Sequence, residues 1–281
     1  MALSDLYNFA GGPAGGTRDH VEGKRAMFQD ELPIATFEMP AGLREPDGGV
    51  ATATEPDPGQ ATQAFHIRLA NSAGRREAAS LLIRKMYGWR GYAFEPSLHH
   101  DPNKVTLYAE TGGMLVGTMS LCLDSEFGLP ADDNFRDKLD SLRRQGRRLC
   151  EPSRLAIDKG VTKRVFASLI HISYLYSHKL LGFTDYVIEV NPRHVMFYKR
   201  MLGFCDFGGE RPCHRVGAPA VLLRLPLAEM GEQIRKWGGL MERHGEERSF
   251  YPYFFPEHDE LGITARLNGG YHTNGGCDAY Y

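Results

Sequence analysis

The chain has 281 residues, and what it lacks narrows the field first. No apolar run reaches the ~20 residues that a membrane helix needs. The most apolar stretch, residues 165–183, is interrupted by His171, Ser173, Ser177, His178 and Lys179 and reads as a buried helix. The opening MALSDLYNFAGG has no basic region ahead of an apolar segment, so no export signal is expected there. Cysteine is scarce: five residues, an odd number, widely spaced and without a CxxC pair. A disulfide scaffold is excluded, and reduced thiols in a cytoplasmic protein are the expectation. There is no excess of either charge: 33 basic against 35 acidic residues leave a net −2. The whole molecule is therefore not an electrostatic nucleic-acid binder. Neither a G-x-S-x-G elbow nor a Walker A loop is present. Cys205, Cys213 and His214 lack metal-ligand spacing, and His171 and His178 lie seven residues apart, so no metal is expected.

Charge and backbone-breaking residues are unevenly placed. Residues 1–63 hold four basic and ten acidic residues with nine glycines and six prolines. They are expected to be an irregular, flexible N-terminal segment. Residues 268–281 form a Gly-rich tail without periodicity. Between these lie a core over residues 64–226 and a C-terminal helical and aromatic extension over 227–267.

The core has legible elements. Residues 75–87 read as a helix. Residues 105–110 and 114–123 read as two strands around Thr111-Gly112-Gly113, a hairpin turn because paired glycines accept positive φ. Residues 132–145 form a helix stopped by Gly146, 149–157 a strand, 161–181 a long helix and 186–190 a short apolar strand. Asn191 caps the next helix, with Pro192 at its first position and Gly203 after its last turn. Residues 218–225 are the last strand, and Pro226 opens a further helix. A hairpin plus a strand–helix–strand crossover gives an α/β (α+β) single domain, a mixed sheet with helices on its faces.

Two stretches resemble the GNAT acyltransferase superfamily. Residues 191–204, Asn-Pro-Arg-His-Val-Met-Phe-Tyr-Lys-Arg-Met-Leu-Gly-Phe, resemble its N-x-x-A-x-x-x-Y-x-x-x-G-F helix, and the second stretch is the strand–helix unit before it. Finer features resemble the long-chain N-acyl amino acid synthases (FeeM-like) and, more distantly, homoserine-lactone synthases. Cys150-Glu-Pro-Ser-Arg-Leu-Ala-Ile157 is similar to their E-x-S-R strand, and Arg84-Lys-Met-Tyr-Gly-Trp-Arg-Gly-Tyr92 to their R-x-x-x-Y…G-Y segment. His100-Asp101 is similar to the start of an acidic D-x-x-D, whose second acid is replaced by Lys104. The resemblance implies a mostly antiparallel GNAT-like sheet. It implies an acyltransferase moving a fatty acyl group from acyl carrier protein to the α-amine of an amino acid, with no tightly bound cofactor.

One departure bears on the donor. GNATs that use acetyl-CoA place a glycine-rich loop after the fourth strand, where bare backbone N–H groups meet the pyrophosphate. Here residues 158–164 read Asp-Lys-Gly-Val-Thr-Lys-Arg, with one glycine. A single phosphate, as on the acyl-phosphopantetheine arm of a carrier protein, fits this helix start with Lys163 or Arg164. Residues 136–164 carry ten basic against four acidic side chains, a face that would steer an acidic carrier protein. A solvated helix face is the plain alternative.

Acyl transfer to an ammonium needs a base, a polarised thioester and a proton for the departing thiolate. By the resemblance Glu151 is the base or water positioner and Tyr198 the acid; a structural ion pair and a packed tyrosine are the alternatives. In a regular strand Glu151 and Arg154 would point to opposite faces. Pro152 suggests a bulge near 152–153 that would bring both to one cleft, where Arg154 holds the substrate carboxylate. Arg84, Trp89 and Asp101 are further substrate-binding candidates. Leu155, Ala156, Ile157, Lys163, Arg164 and Asn191 are candidates for holding the acyl-phosphopantetheine. The rival readings are a GNAT taking acetyl- or acyl-CoA to a small amine or lysine, a lactone synthase using S-adenosylmethionine, and an inactive module that docks carrier protein.

Overall fold

A computed structural model describes residues 33–40, 62–70, 73–88, 103–158, 161–214 and 217–272. Among them eight strands form one sheet in the order β1-β2-β3-β4-β5-β6-β8-β7. The strands are β1 Ala35–Pro40, β2 Thr62–Leu69, β3 Lys104–Thr111, β4 Met114–Leu123, β5 Leu149–Ile157, β6 Asp185–Val190, β7 Cys205–Cys213 and β8 Ala218–Pro226. Every neighbouring pair is antiparallel except β5 with β6. The mixed, mostly antiparallel sheet expected from the sequence is therefore present.

The β3–β4 turn follows from its glycines: Gly112 and Gly113 have φ of 55° and 76°, the two positive values that a two-residue turn matched to strand twist requires. The crossover between β5 and β6 is α3, Lys163–Tyr174, which continues as a π-helical segment, Leu175–Leu180. The long helix of the sequence reading is thus present in two windings. Its apolar side chains Val165, Phe166, Leu169 and Ile172 pack on one face of the sheet together with α5, Leu227–Trp237. The other face carries α2, Asp132–Arg143, whose Phe135, Leu139 and Leu142 cover Leu149, Val187 and Leu222. It also carries α1, Ala73–Gly88, whose Leu82 and Ile83 meet Ala156.

Four elements depart from the sequence reading, the first being β2, Thr62–Leu69, which was not read as a strand. β1 lies inside the segment expected to be irregular; it needs only an edge position, and Pro40 ends it. β7 had no strand signal, because Gly208, Gly209 and Pro212 break any apolar alternation. As the other edge strand it pairs only with β8, and its register shifts absorb those residues. The C-terminal helix α6, Glu257–His272, runs into the stretch read as a tail. No helix among the described residues is long and apolar enough to cross a membrane.

The C-terminal extension closes the α3 face. Phe250, Tyr251, Phe254 and Phe255 are buried in the main core. Tyr251 Oη donates to the Leu202 carbonyl at 2.6 Å, and Arg266 Nε donates to the Ile34 carbonyl at 2.6 Å.

Candidate active site

Among the described residues the sheet opens between β5 and β6. β5 pairs with β6 only at Leu149–Asp185 and Cys150–Tyr186, while β6 stays paired with β8 as far as Val190 and β5 with β4 as far as Ile157. From Glu151 on one strand and Val187 on the other, the facing edges diverge. Their ladder groups there can hydrogen-bond an extended ligand. Pro152 lies on the diverging stretch, where a missing backbone donor costs no β5–β6 ladder bond.

Glu151 stands at the fork and is 4% exposed. Its Oε2 accepts from the Ala131 N–H at 2.8 Å. Ala131 is the N-cap of α2, so the carboxylate lies at the positive end of a helix dipole. Directly across the β4 ladder is Cys122, whose Sγ is 3.8 Å from Ser153 Oγ. Burial pushes the Cys122 thiol up, and the neighbouring Glu151 pushes it further; Lys104 and Arg154 oppose this. Cys150 is fully buried, and burial raises its thiol well above the ordinary range.

A bulge is present, slightly later than the sequence suggested. Thr118 pairs with Ala156 and Ser120 with Ser153, so β5 carries one extra residue between Ser153 and Ala156. Within that bulge Arg154 has φ of 51°, the sole positive φ on a non-glycine among the described residues. Leu155 packs at the margin of the α3-side core, Ala156 lies under α1, and Ile157 returns to the α3 side.

The other candidates fall into distinct places. Tyr198, on α4 (Val195–Leu202), is half-buried and meets Phe197 and Phe204 edge-on with centroids 5.3 Å and 6.0 Å away. Asn191 acts as the cap the sequence suggested, accepting from the Arg193 N–H at 3.2 Å, on a 3-10 turn, Pro192–His194, that leads into α4. Lys163 opens α3, with its Nζ 5.8 Å from the Tyr253 ring. Arg164 is engaged elsewhere: its Nη1 donates to the carbonyls of Tyr253 at 2.6 Å and Phe254 at 3.0 Å, and it lies over the rings of Phe255 and Phe37. Burial lowers its pKa to about 10. Arg84 is exposed on α1. Trp89 and Asp101 lie outside the described residues.

The structure also brings forward side chains that the motifs did not single out for the site. Lys104, Cys122 and Glu151 form one row across β3, β4 and β5, and Ser120 pairs with Ser153 in the next row on the same face. Such rows depend on strand register, which spacing along one strand does not reveal.

A crossover helix beside a splayed parallel pair, inside an otherwise antiparallel sheet, defines a GNAT-like acyltransferase. A family model described as "FeeM: N-acyl amino acid synthase FeeM" matches residues 78–226, more than half of the chain. The chain belongs to this family of N-acyl amino acid synthases. The solved FeeM structure from uncultured soil microbes is 27% identical, covers 60% of this chain and 94% of its own, and superposes with a TM-score of 0.56. An N-acetyltransferase from Staphylococcus aureus Mu50 is 11% identical, covering 58% of this chain and 98% of its own with a TM-score of 0.43. The AHL synthase LasI is 15% identical, covering 58% and 90% with a TM-score of 0.39. No curated protein matches the chain.

Proposed function

We propose that this synthase transfers a long-chain fatty acyl group from acyl carrier protein directly to the α-amine of an amino acid in a ternary complex. The observation that carries the reading is the buried Glu151 at the fork where β5 and β6 diverge. The diverging edges offer backbone donors and acceptors to the extended acyl-phosphopantetheine, and an N–H there polarises the thioester carbonyl. Glu151, directly or through one water, takes a proton from the α-ammonium. The free amine adds to the carbonyl carbon, the C–S bond breaks, and the second amine proton passes to water as the amide forms. Tyr198 is the donor assigned to the departing thiolate. Arg154 orients the acceptor through its carboxylate.

A carrier-protein donor is favoured over CoA by the 158–164 segment, which has one glycine. Arg164 is turned onto the Tyr253 and Phe254 carbonyls, so the phosphate is assigned to the start of α3, where Lys163 stands. The reaction is expected in the cytoplasm.

Palmitoyl-loaded carrier protein mixed with the purified chain and all twenty amino acids, read by mass spectrometry, tests the proposal. An N-palmitoyl amino acid is expected, reduced at least a hundredfold in Glu151→Gln, a loss on the scale of general-base catalysis. Transfer from palmitoyl-CoA but not from carrier protein would replace the donor assignment. Unchanged turnover in Glu151→Gln would remove the base.

A further inference from the structure

The two arms of the fork lead into two different helices. α3 begins shortly after β5 ends at Ile157, and α4 follows β6 after one 3-10 turn. Residues 249–256 form a strap fastened to both helices, and they lie beyond residue 226, where the family match ends. At one end of the strap Arg164 of α3 donates to the carbonyls of Tyr253 and Phe254, and His171 Nδ1 accepts from the Phe255 N–H. At the other end the strap reaches α4, a helix of eight residues whose buried side chains are Phe197 and Leu202. The last four carbonyls of a helix have no partner within it. The strap answers two of them: the Phe250 N–H donates to the Met201 carbonyl at 2.9 Å, and Tyr251 Oη donates to the Leu202 carbonyl at 2.6 Å. Tyr251 is 3% exposed, so loss of its hydroxyl leaves that carbonyl unpaired in a dry setting. Ring contacts run the same way. The Phe250 ring lies 4.5 Å from Phe166 of α3 and 5.8 Å from Phe197, and Phe197 meets Tyr198 edge-on at 5.3 Å.

We infer that Tyr251 is a positioning residue for Tyr198: by tying α4 to the strap, and through the strap to α3, it fixes the reach from the Tyr198 hydroxyl to the thioester sulfur. The inference rests on the assignment of Tyr198 as proton donor and extends it to a segment outside the family match. Leu202 stands four residues on from Tyr198, one turn along the same side of the helix, so a shift at the tie is carried to the phenol. Tyr198 gives its proton to sulfur as the C–S bond breaks. Water, which takes the second amine proton, returns one to the phenolate. Proton transfer needs donor and acceptor within hydrogen-bond reach, and a displacement of about 1 Å can cost a hundredfold. The loss falls on a leaving group that needs the proton. An alkyl thiol, with a pKa of about 8.5, gains from the acid, whereas an acidic aryl thiol departs as its thiolate.

The test uses the full chain and two donors with the same short acyl group, one on pantetheine and one on 4-nitrothiophenol. The readout is the ratio of kcat for the pantetheine donor to kcat for the aryl donor, because a general loss of structure lowers both alike. That ratio should fall at least tenfold in Tyr198→Phe and about tenfold in Tyr251→Phe, with the acceptor KM within twofold of wild type in Tyr251→Phe. Adding Tyr251→Phe to Tyr198→Phe should lower the ratio no further, since two residues that act through one group are not additive. Phe250→Leu withdraws a ring from Phe197 and keeps the Tyr251 hydroxyl; the same fall is expected, and it serves as the test if Tyr251→Phe fails to fold. An unchanged ratio in the strap variant, or a further fall in the double variant, would overturn the inference and leave the strap a tie for the fold alone. An unchanged ratio in Tyr198→Phe would instead remove the acid itself, and its positioning residue with it.

Discussion

Arg154 occupies a left-handed backbone conformation, φ 51°, that costs a residue with a Cβ roughly 1–2 kcal/mol. Strain of this kind persists where the surrounding structure holds it, commonly at functional sites. The bulge that contains it follows Pro152 and sits beside the fork, so the strain and the opening in the sheet share one stretch of backbone. Arg154→Gly should therefore relieve the strain and keep a Tm no lower than that of Arg154→Ala. Both variants should lose about tenfold in kcat/KM for the acceptor, the scale of one charge-assisted contact. Melting curves beside steady-state kinetics separate the two effects; a glycine variant far less stable than the alanine variant would show that the φ is not strained. At this scale the sequence was partly legible. Pro152 announced a bulge to within two residues, and the Asn191 cap was readable from its own spacing. The inward turn of Arg164 was not readable, because its acceptors are carbonyls some ninety residues away.

α3 and the C-terminal extension meet at His171, which is fully buried. The Phe255 N–H donates to its Nδ1 at 3.1 Å, which leaves Nε2 to donate to Glu260 at 3.2 Å. Burial lowers the His171 pKa below its ordinary 6.5, outweighing Glu260, which pulls the other way. Protonation would also cost the bond from Phe255. The unfolded chain takes up this proton as pH falls below 6.5, and the native chain resists it until its lower pKa. Native stability therefore falls with acidification through that window, by at most about 1.4 kcal/mol per pH unit. Asp132 and Asp185 do not confuse the reading. Burial pushes each up, but Arg143 on one and Arg147 on the other hold their pKa values below the ordinary 3.8, so they act at lower pH. Melting temperatures between pH 7 and 5 should drop for the wild type and drop less for His171→Phe; equal slopes would exclude His171 as the source. Elements with their own periodicity or caps were legible in the sequence, as β5, α4 and the β3–β4 hairpin show. β7 was not, since an edge strand draws its order from a neighbour rather than from alternation.

The basic character of residues 136–164 takes a different meaning once the whole molecule is in view. Arg143 binds Asp124, Asp132 and Asp140; Arg147 binds Asp185; Arg148 binds the Leu181 carbonyl; Arg164 holds the strap. These four fasten α2, β6, the π-helical segment and the C-terminus to one another, so much of the apparent charge excess is internal. Arg136 and Arg144, both exposed on or beside α2, remain on the surface of the helix whose N-terminus binds Glu151. An acidic carrier protein bringing its thioester to the fork would approach next to them. Exposed charges chiefly govern encounter and respond to salt, at about 0.5–1 kcal/mol each. Arg136→Glu with Arg144→Glu should therefore raise the KM for acyl carrier protein roughly tenfold at low ionic strength, and much less at 0.5 M salt, where the Debye length is about 4 Å. Turnover of a short acyl-pantetheine, which has no protein surface to dock, should stay within twofold. Equal effects on both donors would mean that α2 acts on the site rather than on the partner, and no effect on either would move the docking face away from α2.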